Sequence, residues 1–203
     1  LDGTEGIARR RDRRLAGLVA HARAHSPFYR RLYAALPAGP VALESLPPVS
    51  KARLMEAFDD WLTNPRLGRA GVEDILASAA RNGVAARDGL FVCTSSGTTG
   101  RPGIFVHDQA AIDVYRVLNA LRLSLGWLGV RDWLRLGRRG IRWAAVMAAG
   151  GPFIGAGWLE LERRRSAWKA RAYRVFPVET PLDDLVRDIG AFDPTILSGY
   201  PSA

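Results

Sequence analysis

The spacing of apolar residues predicts that the first third of the chain is helical. Leu15, Leu18, Val19 and Ala22 recur at the interval of one helix face. The Ser26-Pro27 pair interrupts this helix, because proline disfavours helical backbone at the residue before it. Further helices are predicted over 28–35, from an N-cap at Ser50 through 61, and over 72–80.

From residue 89 the pattern changes to short apolar runs separated by helices. Asp108 is predicted to cap a helix whose apolar face is Ala111, Val114, Tyr115, Leu118, Leu121 and Leu125. Thr180 and Pro181 precede a second helix. Strands are predicted over 89–94, 103–107, 141–148, 173–176 and 195–197. This alternation predicts an α/β fold, with a helical segment over 1–88 and part of a mainly parallel sheet flanked by helices over 89–203.

Composition narrows the classes of protein to consider. The 203 residues are 48% hydrophobic, which is enough to bury a core. No apolar run reaches the roughly 20 residues of a membrane helix, and the first residues do not form a secretory signal. We therefore expect a cytoplasmic protein without a membrane partner. Cys93 and three scattered histidines have no metal-ligand spacing, so no metal site is predicted from these residues.

The net charge of +9 makes nucleic acid a partner to consider, because positive side chains bind its phosphates. The positive charge is dispersed over several runs with acidic residues between them, and only Lys51 and Lys169 are lysines. This distribution disfavours a nucleic-acid groove and indicates an arginine-rich composition instead.

One loop carries recognisable chemistry. Between the first two predicted strands lie five hydroxyl residues and two glycines, in the string TSSGTTGRP over 94–102. Small side chains let backbone N–H groups converge on an anion, and hydroxyls add further donors, so a triphosphate is a suitable ligand. The glycine spacing is not that of a Walker A loop. From composition alone, a plain hairpin connection remains the alternative.

The full string resembles the phosphate loop of the adenylate-forming superfamily, and its doubled serine is similar to the branch of phenylacetate-CoA ligases and coenzyme F390 synthetases. Three other segments resemble this branch in the same order: HSPFYRR over 25–31, LPPVSKARL over 46–54 and PTILSGYPS over 194–202. The resemblance therefore covers most of the chain. It implies that the chain is the N-terminal portion of the family's large domain, so that the domain is incomplete in this sequence.

The resemblance also implies roles within the loop, which starts at Thr94 and Ser95. Hydroxyls would donate to phosphate oxygens, glycines would permit close backbone approach, and an arginine would neutralise pyrophosphate charge. The hydroxyl donors would be Ser96, Thr98 and Thr99. The glycines are Gly97 and Gly100, and the arginine is Arg101. Position 103, which is often lysine in the superfamily, is glycine here.

The glycine-rich segment 149–155 lies where the family places an acyl pocket, so Gly151 and Phe153 are candidate substrate-pocket residues. Family members that act on aryl acids tend to be aromatic in this segment, and this one is small and aliphatic apart from Phe153. A plain buried turn remains the alternative. Tyr115 lies in an apolar stripe, which favours core packing over a pocket role.

The resemblance implies ATP-dependent activation of a small carboxylic acid as an acyl-adenylate, followed by thioester formation with coenzyme A. Mg²⁺ would assist, although its ligands, the ribose aspartate and a catalytic lysine are expected beyond Ala203. No catalytic residue can therefore be named, and this stretch alone is expected to be inactive. The alternative is a truncated homologue that acts as a nucleotide-binding or scaffolding module. The sequence leaves open whether the protein forms a homodimer.

Overall fold

A computed structural model describes residues 3–95, 102–122 and 128–199, without the side chains of 80–82. Within these ranges the fold is mixed α/β, with ten α-helices and two three-stranded sheets. The same ranges contain no helix that is long and apolar enough to cross a membrane. The chain divides into two compact units, Leu1–Val72 and Glu73–Ala203. The functional division that the sequence predicts between 88 and 89 stays a prediction.

The first unit is helical, as the apolar spacing predicts. Its helices are α1 (Gly3–His25), α2 (Pro27–Leu32), α3 (Lys51–Glu56) and α4 (Phe58–Trp61). Ser26 separates α1 from α2. Its fully buried hydroxyl accepts a hydrogen bond from the backbone N–H of Tyr29 and donates one to the carbonyl of Asp60. One serine therefore caps α2 and holds it against α4.

The second unit contains most of α5 and all the strands. Its elements in chain order are α5 (Arg69–Asn82), β1 (Ala86–Arg87), β2 (Leu90–Thr94), β3 (Ile104–His107), α6 (Gln109–Leu121), α7 (Val130–Arg139), β4 (Trp143–Met147), α8 (Ile154–Arg163), α9 (Ala167–Ala172), β5 (Tyr173–Pro177), α10 (Leu182–Phe192) and β6 (Ile196–Gly199). All five predicted strands are present within two residues of their predicted bounds. The pattern did not predict α7, α8, α9 or β1.

The prediction of a mainly parallel sheet is correct for only one of the two sheets. Strands β5, β4 and β6 pair in parallel in that order, with β4 in the centre. Strands β1, β2 and β3 form a separate antiparallel sheet. The connection between β2 and β3 runs only from 95 to 103, which is shorter than the dozen or more residues that a parallel crossover needs, so these strands form a hairpin.

Each sheet has its own apolar core. Phe91, Cys93, Val84 and Ile112 pack beside the hairpin sheet, with Trp158 of α8 against them. The core of the parallel sheet consists of Ala144, Val146, Phe176 and Phe192.

Helix α6 begins where the sequence predicts, because the Asp108 carboxylate accepts a hydrogen bond from the N–H of Ala111 at 2.8 Å. Its predicted apolar face is wrong at Val114, Leu118 and Leu121, which are exposed, and Leu125 lies outside the described residues. The residue that α6 buries is Ile112, which the prediction omits. Most of the apolar stripe therefore has no partner in the described part of the chain.

Candidate functional site

The two ends of the hairpin connection are fastened together. Strands β2 and β3 pair as far as Thr94 opposite Ile104. Beyond that pair, the N–H of Ser95 donates to the carbonyl of Gly103 at 2.9 Å, and the N–H of Gly103 donates to the Ser95 hydroxyl at 2.9 Å. These two bonds close the base of the connection, which we call the loop neck: Thr94, Ser95, Gly103 and Ile104.

Most of the predicted phosphate loop lies outside the described residues. The structure places Thr94 at the end of β2 and Ser95 directly after it. The other predicted residues fall in the part of the chain that is not described: Ser96, Gly97, Thr98, Thr99, Gly100 and Arg101. Their roles stay predictions from the sequence.

The loop neck contacts the second predicted region, the glycine-rich segment 149–155. The N–H of Thr94 donates to the carbonyl of Pro152 at 2.8 Å, and Thr94 forms a parallel β-bridge with Phe153. The structure therefore brings together two regions that are more than fifty positions apart in the sequence. The family resemblance implies that one region binds phosphates and that the other lines an acyl pocket, but it does not predict the contact between them.

Glycine is needed in this segment for two different reasons. Gly150 has φ of +80°, a backbone conformation that side chains disfavour. A Cβ added to Gly151 would lie 2.8 Å from the Phe153 ring. Phe153 is half-buried and forms the N-cap position of α8. Gly151 thus lets the chain fold closely over Phe153 before the helix begins.

A cavity of about 850 Å³ adjoins this segment within the second unit. Its volume is within the range of small-molecule sites. One end is formed by backbone and small side chains of 149–152, and Leu76, Ala156 and Val175 supply apolar surface. The remaining lining residues are Ala79, Gly83, Arg142, Glu160, Arg163, Ala170, Arg171, Tyr173, Arg174 and Phe192. Of the two predicted pocket residues, Gly151 lines this cavity and Phe153 does not.

Four arginines and one glutamate give the cavity a positive charge. Glu160 is already engaged, because its carboxylate accepts from Arg163 at 2.8 Å and from Arg164 at 3.1 Å. The guanidinium of Arg142 donates to the backbone carbonyl of Phe192, a neutral partner. Among the described residues, neither Arg171 nor Arg174 is seen in an ion pair. The cavity therefore suits an anionic ligand.

No pattern in the sequence predicts this arrangement. From the sequence, the run of arginines from 163 to 174 is interpreted as composition, because the pattern predicts the strand β5 but neither α8 nor α9. The fold brings α8, α9 and β5 to one cavity, and Arg142 joins them from the residue before β4.

Glu162 connects α8 and α9, which line the cavity, to α6. Its side chain, 8% exposed, accepts from Arg116 of α6 at 2.6 Å and from the ammonium of Lys169 in α9. Burial raises the pKa of Glu162, but hydrogen bonds from these two cations outweigh that effect, so the pKa lies below its ordinary value of 4.5. An ionised carboxylate thus holds α6, α8 and α9 together.

Cys93 and His107 form a pair in the hairpin sheet, with the thiol sulfur 3.6 Å from the imidazole Nε2. Burial raises the pKa of the Cys93 thiol to about 11. Burial also lowers the pKa of His107, although Asp108 acts in the opposite direction. A protonated thiol beside a neutral imidazole packs the core and does not supply a thiolate nucleophile.

Tyr115 does not line the cavity. Its ring contacts His107 and Trp158, with centroids 5.5 and 6.2 Å away, and the residue is 41% exposed. It therefore packs on one side as predicted and faces solvent on the other.

Among the described residues, no group of three or more His, Cys, Asp and Glu side chains could hold a metal ion. The expectation that Mg²⁺ ligands lie elsewhere stays a prediction. Comparison with protein-family models gives no match to this chain, and the search of curated proteins gives none either.

Proposed function

We propose that this chain is the phosphate-binding portion of an ATP-dependent acid–thiol ligase that activates a carboxylic acid as an acyl-adenylate. The observation that carries the proposal is the TSSGTTGRP string between β2 and β3. It occupies a hairpin connection whose ends are closed by the loop neck. A plain hairpin would not need five hydroxyl residues beside two glycines.

The neighbourhood of the loop neck supports the same function. Thr94 is hydrogen-bonded to Pro152, and 149–152 form one end of the positively charged cavity. A ligase of this kind must hold a triphosphate and a carboxylate, which are both anions, in reach of each other. A cationic cavity beside a phosphate loop meets that requirement.

The proposed reaction has two steps. A carboxylate oxygen of the acid attacks the α-phosphorus of ATP, the bond to the β-phosphate oxygen breaks, and pyrophosphate leaves. The sulfur of an acceptor thiol, proposed to be coenzyme A, then attacks the acyl carbon and AMP leaves. In the first step Ser96, Thr98 and Thr99 would donate to the departing phosphate oxygens, and Arg101 would offset their charge. A cytoplasmic location, where ATP and coenzyme A are available, is part of the same proposal.

Carboxylate-dependent exchange of pyrophosphate into ATP tests this function. The assay uses the longest natural form of the protein, a broad panel of acids, and the Thr98→Ala variant. We expect exchange that requires a particular acid and falls by at least about 100-fold in the variant, as when one donor to a developing oxyanion is lost. Thr180→Ala, in the turn before α10, is the matched control and should retain full exchange.

Absence of exchange with every acid, from a folded protein, would refute the ligase proposal. The nucleotide-binding or scaffolding module would then become the leading interpretation. Exchange that is equal in Thr98→Ala and the parent would separate the activity from the loop.

A further inference from the structure

The cavity has two chemically different ends. Residues 150–152 at the glycine end follow the carboxyl end of β4 and contact the loop neck through Thr94. Arg142 precedes the first residue of β4, and Arg174 pairs in register with Ala144 near the same end. Strand β4 runs from Trp143 to Met147, which spans roughly 13 Å at the usual rise per strand residue. Glycine and arginine ends are therefore well separated.

Aliphatic side chains supply part of the cavity surface. Leu76 and Ala79 of α5, Ala156 of α8, Ala170 of α9 and Val175 of β5 all line the cavity, beside the polar side chains of Glu160 and Tyr173. The aliphatic part of this surface can bury a chain of methylene groups.

The arginine end carries positive charge that the described residues do not neutralise. Arg171 follows Ala170 at the end of α9, and Arg174 lies in β5; both are exposed towards solvent. The Arg174 guanidinium rests on the Phe176 ring at 5.0 Å, a contact that leaves its N–H groups free to donate. The guanidinium of Arg163 pairs with Glu160, but its buried N–H at Nε has no hydrogen-bond partner among the described residues. Guanidinium groups in this state bind carboxylate or phosphate oxygens.

We propose that this cavity binds the acid substrate and selects an acid with a second anionic group at the far end of an aliphatic chain, as in an α,ω-dicarboxylic acid. The proposal rests on the proposed function in one respect, since it identifies the ligand as the substrate. The reacting carboxylate would lie at the glycine end beside the loop neck, and the second anion would pair with Arg171 and Arg174. Arg142 contributes positive charge to that end.

Equilibrium binding in the absence of ATP tests the cavity directly. Sebacate and its monomethyl ester have the same chain length and differ by one negative charge. Calorimetry on the longest natural form of the protein should show that sebacate binds at least about tenfold more tightly, which is the contribution expected from one charge-assisted pair. The Arg171→Gln/Arg174→Gln double variant should lose this preference and bind both compounds alike.

Arg187→Gln is the matched control, because Arg187 pairs with Asp184 and Asp188 in α10 and does not line the cavity. It should retain the preference for sebacate. Both target arginines are exposed, so the double variant should fold, which circular dichroism and the unfolding transition will verify. Arg171→Gln alone, which removes a side chain without an ion pair in the described structure, should lose part of the preference.

The proposal would be overturned if sebacate did not bind, if the parent bound the monomethyl ester equally well, or if the double variant kept the preference. Inorganic pyrophosphate that binds more tightly than sebacate, and loses affinity in the double variant, would also overturn it. The arginines would then serve the phosphates of the nucleotide.

The exchange assay separates this inference from the function on which it rests. Selective sebacate binding without exchange would support the proposed ligand of the cavity and refute the proposed adenylation reaction. Exchange with simple monocarboxylates and no gain from a second anionic group would leave adenylation standing and refute the inference.

Discussion

The two sheets of the second unit are built in opposite ways. The antiparallel sheet uses strands that follow one another closely, from Ala86–Arg87 to Ile104–His107. The parallel sheet collects strands from Trp143–Met147 to Ile196–Gly199, with α8, α9 and α10 between them. The hairpin sheet therefore supports a site that a continuous string of residues can encode. A cavity beside the parallel sheet needs residues that only folding brings together.

Helix α8 links the two sheets, since it packs on β2 and on β5. The strongest test of this link is Glu162→Gln. The change leaves two cations, Arg116 and Lys169, without their buried carboxylate. We expect the free energy of unfolding to fall by about 3 kcal/mol, measured by urea denaturation at neutral pH. Asp184→Asn, which breaks an exposed pair with Arg187, should cost less than about 1 kcal/mol.

The same substitution has a pH signature. Because the folded state lowers the pKa of Glu162, its contribution is present above the unfolded value of 4.5 and is lost as the pH falls through the folded value. The difference between parent and Glu162→Gln should therefore shrink in acid. An equal difference at pH 7 and in acid would contradict the ionised network.

The next largest effect should come from the close contact of α8 with the hairpin sheet. A Cβ at Gly157 would lie 3.1 Å from the Phe91 ring, and a branched side chain would force these elements apart. Gly157→Val should lower the free energy of unfolding by about 2 kcal/mol. Gly137→Val in α7 is the control and should be close to neutral, because no atom of the described residues lies within 4 Å of the added carbon.

A smaller effect is expected at the loop neck. Ser95→Ala removes the acceptor of the Gly103 N–H but leaves the backbone bond from Ser95 to Gly103. Stability should fall by about 1 kcal/mol by thermal or urea unfolding. If the neck positions the phosphate loop, exchange activity should fall more than stability alone explains. An unchanged exchange rate would show that the neck has only a structural role. Ser166→Ala, which removes the cap of α9 elsewhere in the unit, is the matched change.

The smallest effect concerns the hairpin core. Burial lowers the pKa of His107 below 6.5, so the folded state favours the neutral ring. Stability from this residue should be complete above about pH 6.5 and decrease as the pH falls below it, since the unfolded state then takes up the proton first. Between pH 7 and pH 5, this loss of unfolding free energy should be smaller in His107→Gln than in the parent by less than about 1 kcal/mol, measured by urea unfolding. His25→Gln, in the first unit, should leave the slope in place.

The sequence predicts the strands well, because each is a short apolar run bounded by polar or glycine residues. It fails at α8, where Gly155 and Gly157 read as a loop. These glycines are there because Met147 and Phe91 leave no room for larger side chains, a tertiary constraint that outweighs helix propensity. The prediction of parallel pairing was wrong for the hairpin sheet for a related reason, because strand patterns alone do not determine which strands pair.

The candidate site divides in the same way. The proposed phosphate loop is a local string, and Thr94 and Ser95 lie where the pattern places them, at the end of a strand. The family resemblance makes Gly151 a candidate pocket residue, and Gly151 lines the cavity. The arginine end could not be predicted, because Arg142, Arg171 and Arg174 converge only through the packing of α8, α9 and β5.

The most direct test of the central claim is to identify which bond of ATP breaks. The longest natural form is incubated with ATP labelled at the α-phosphate, in the presence and absence of acids that include sebacate, and the products are separated. We predict acid-dependent formation of an acyl-adenylate and, with a thiol acceptor, AMP, both reduced at least about 100-fold in Thr98→Ala. Labelled ADP as the product, or labelled AMP formed without an acid, would contradict the assignment of this loop to carboxylate activation.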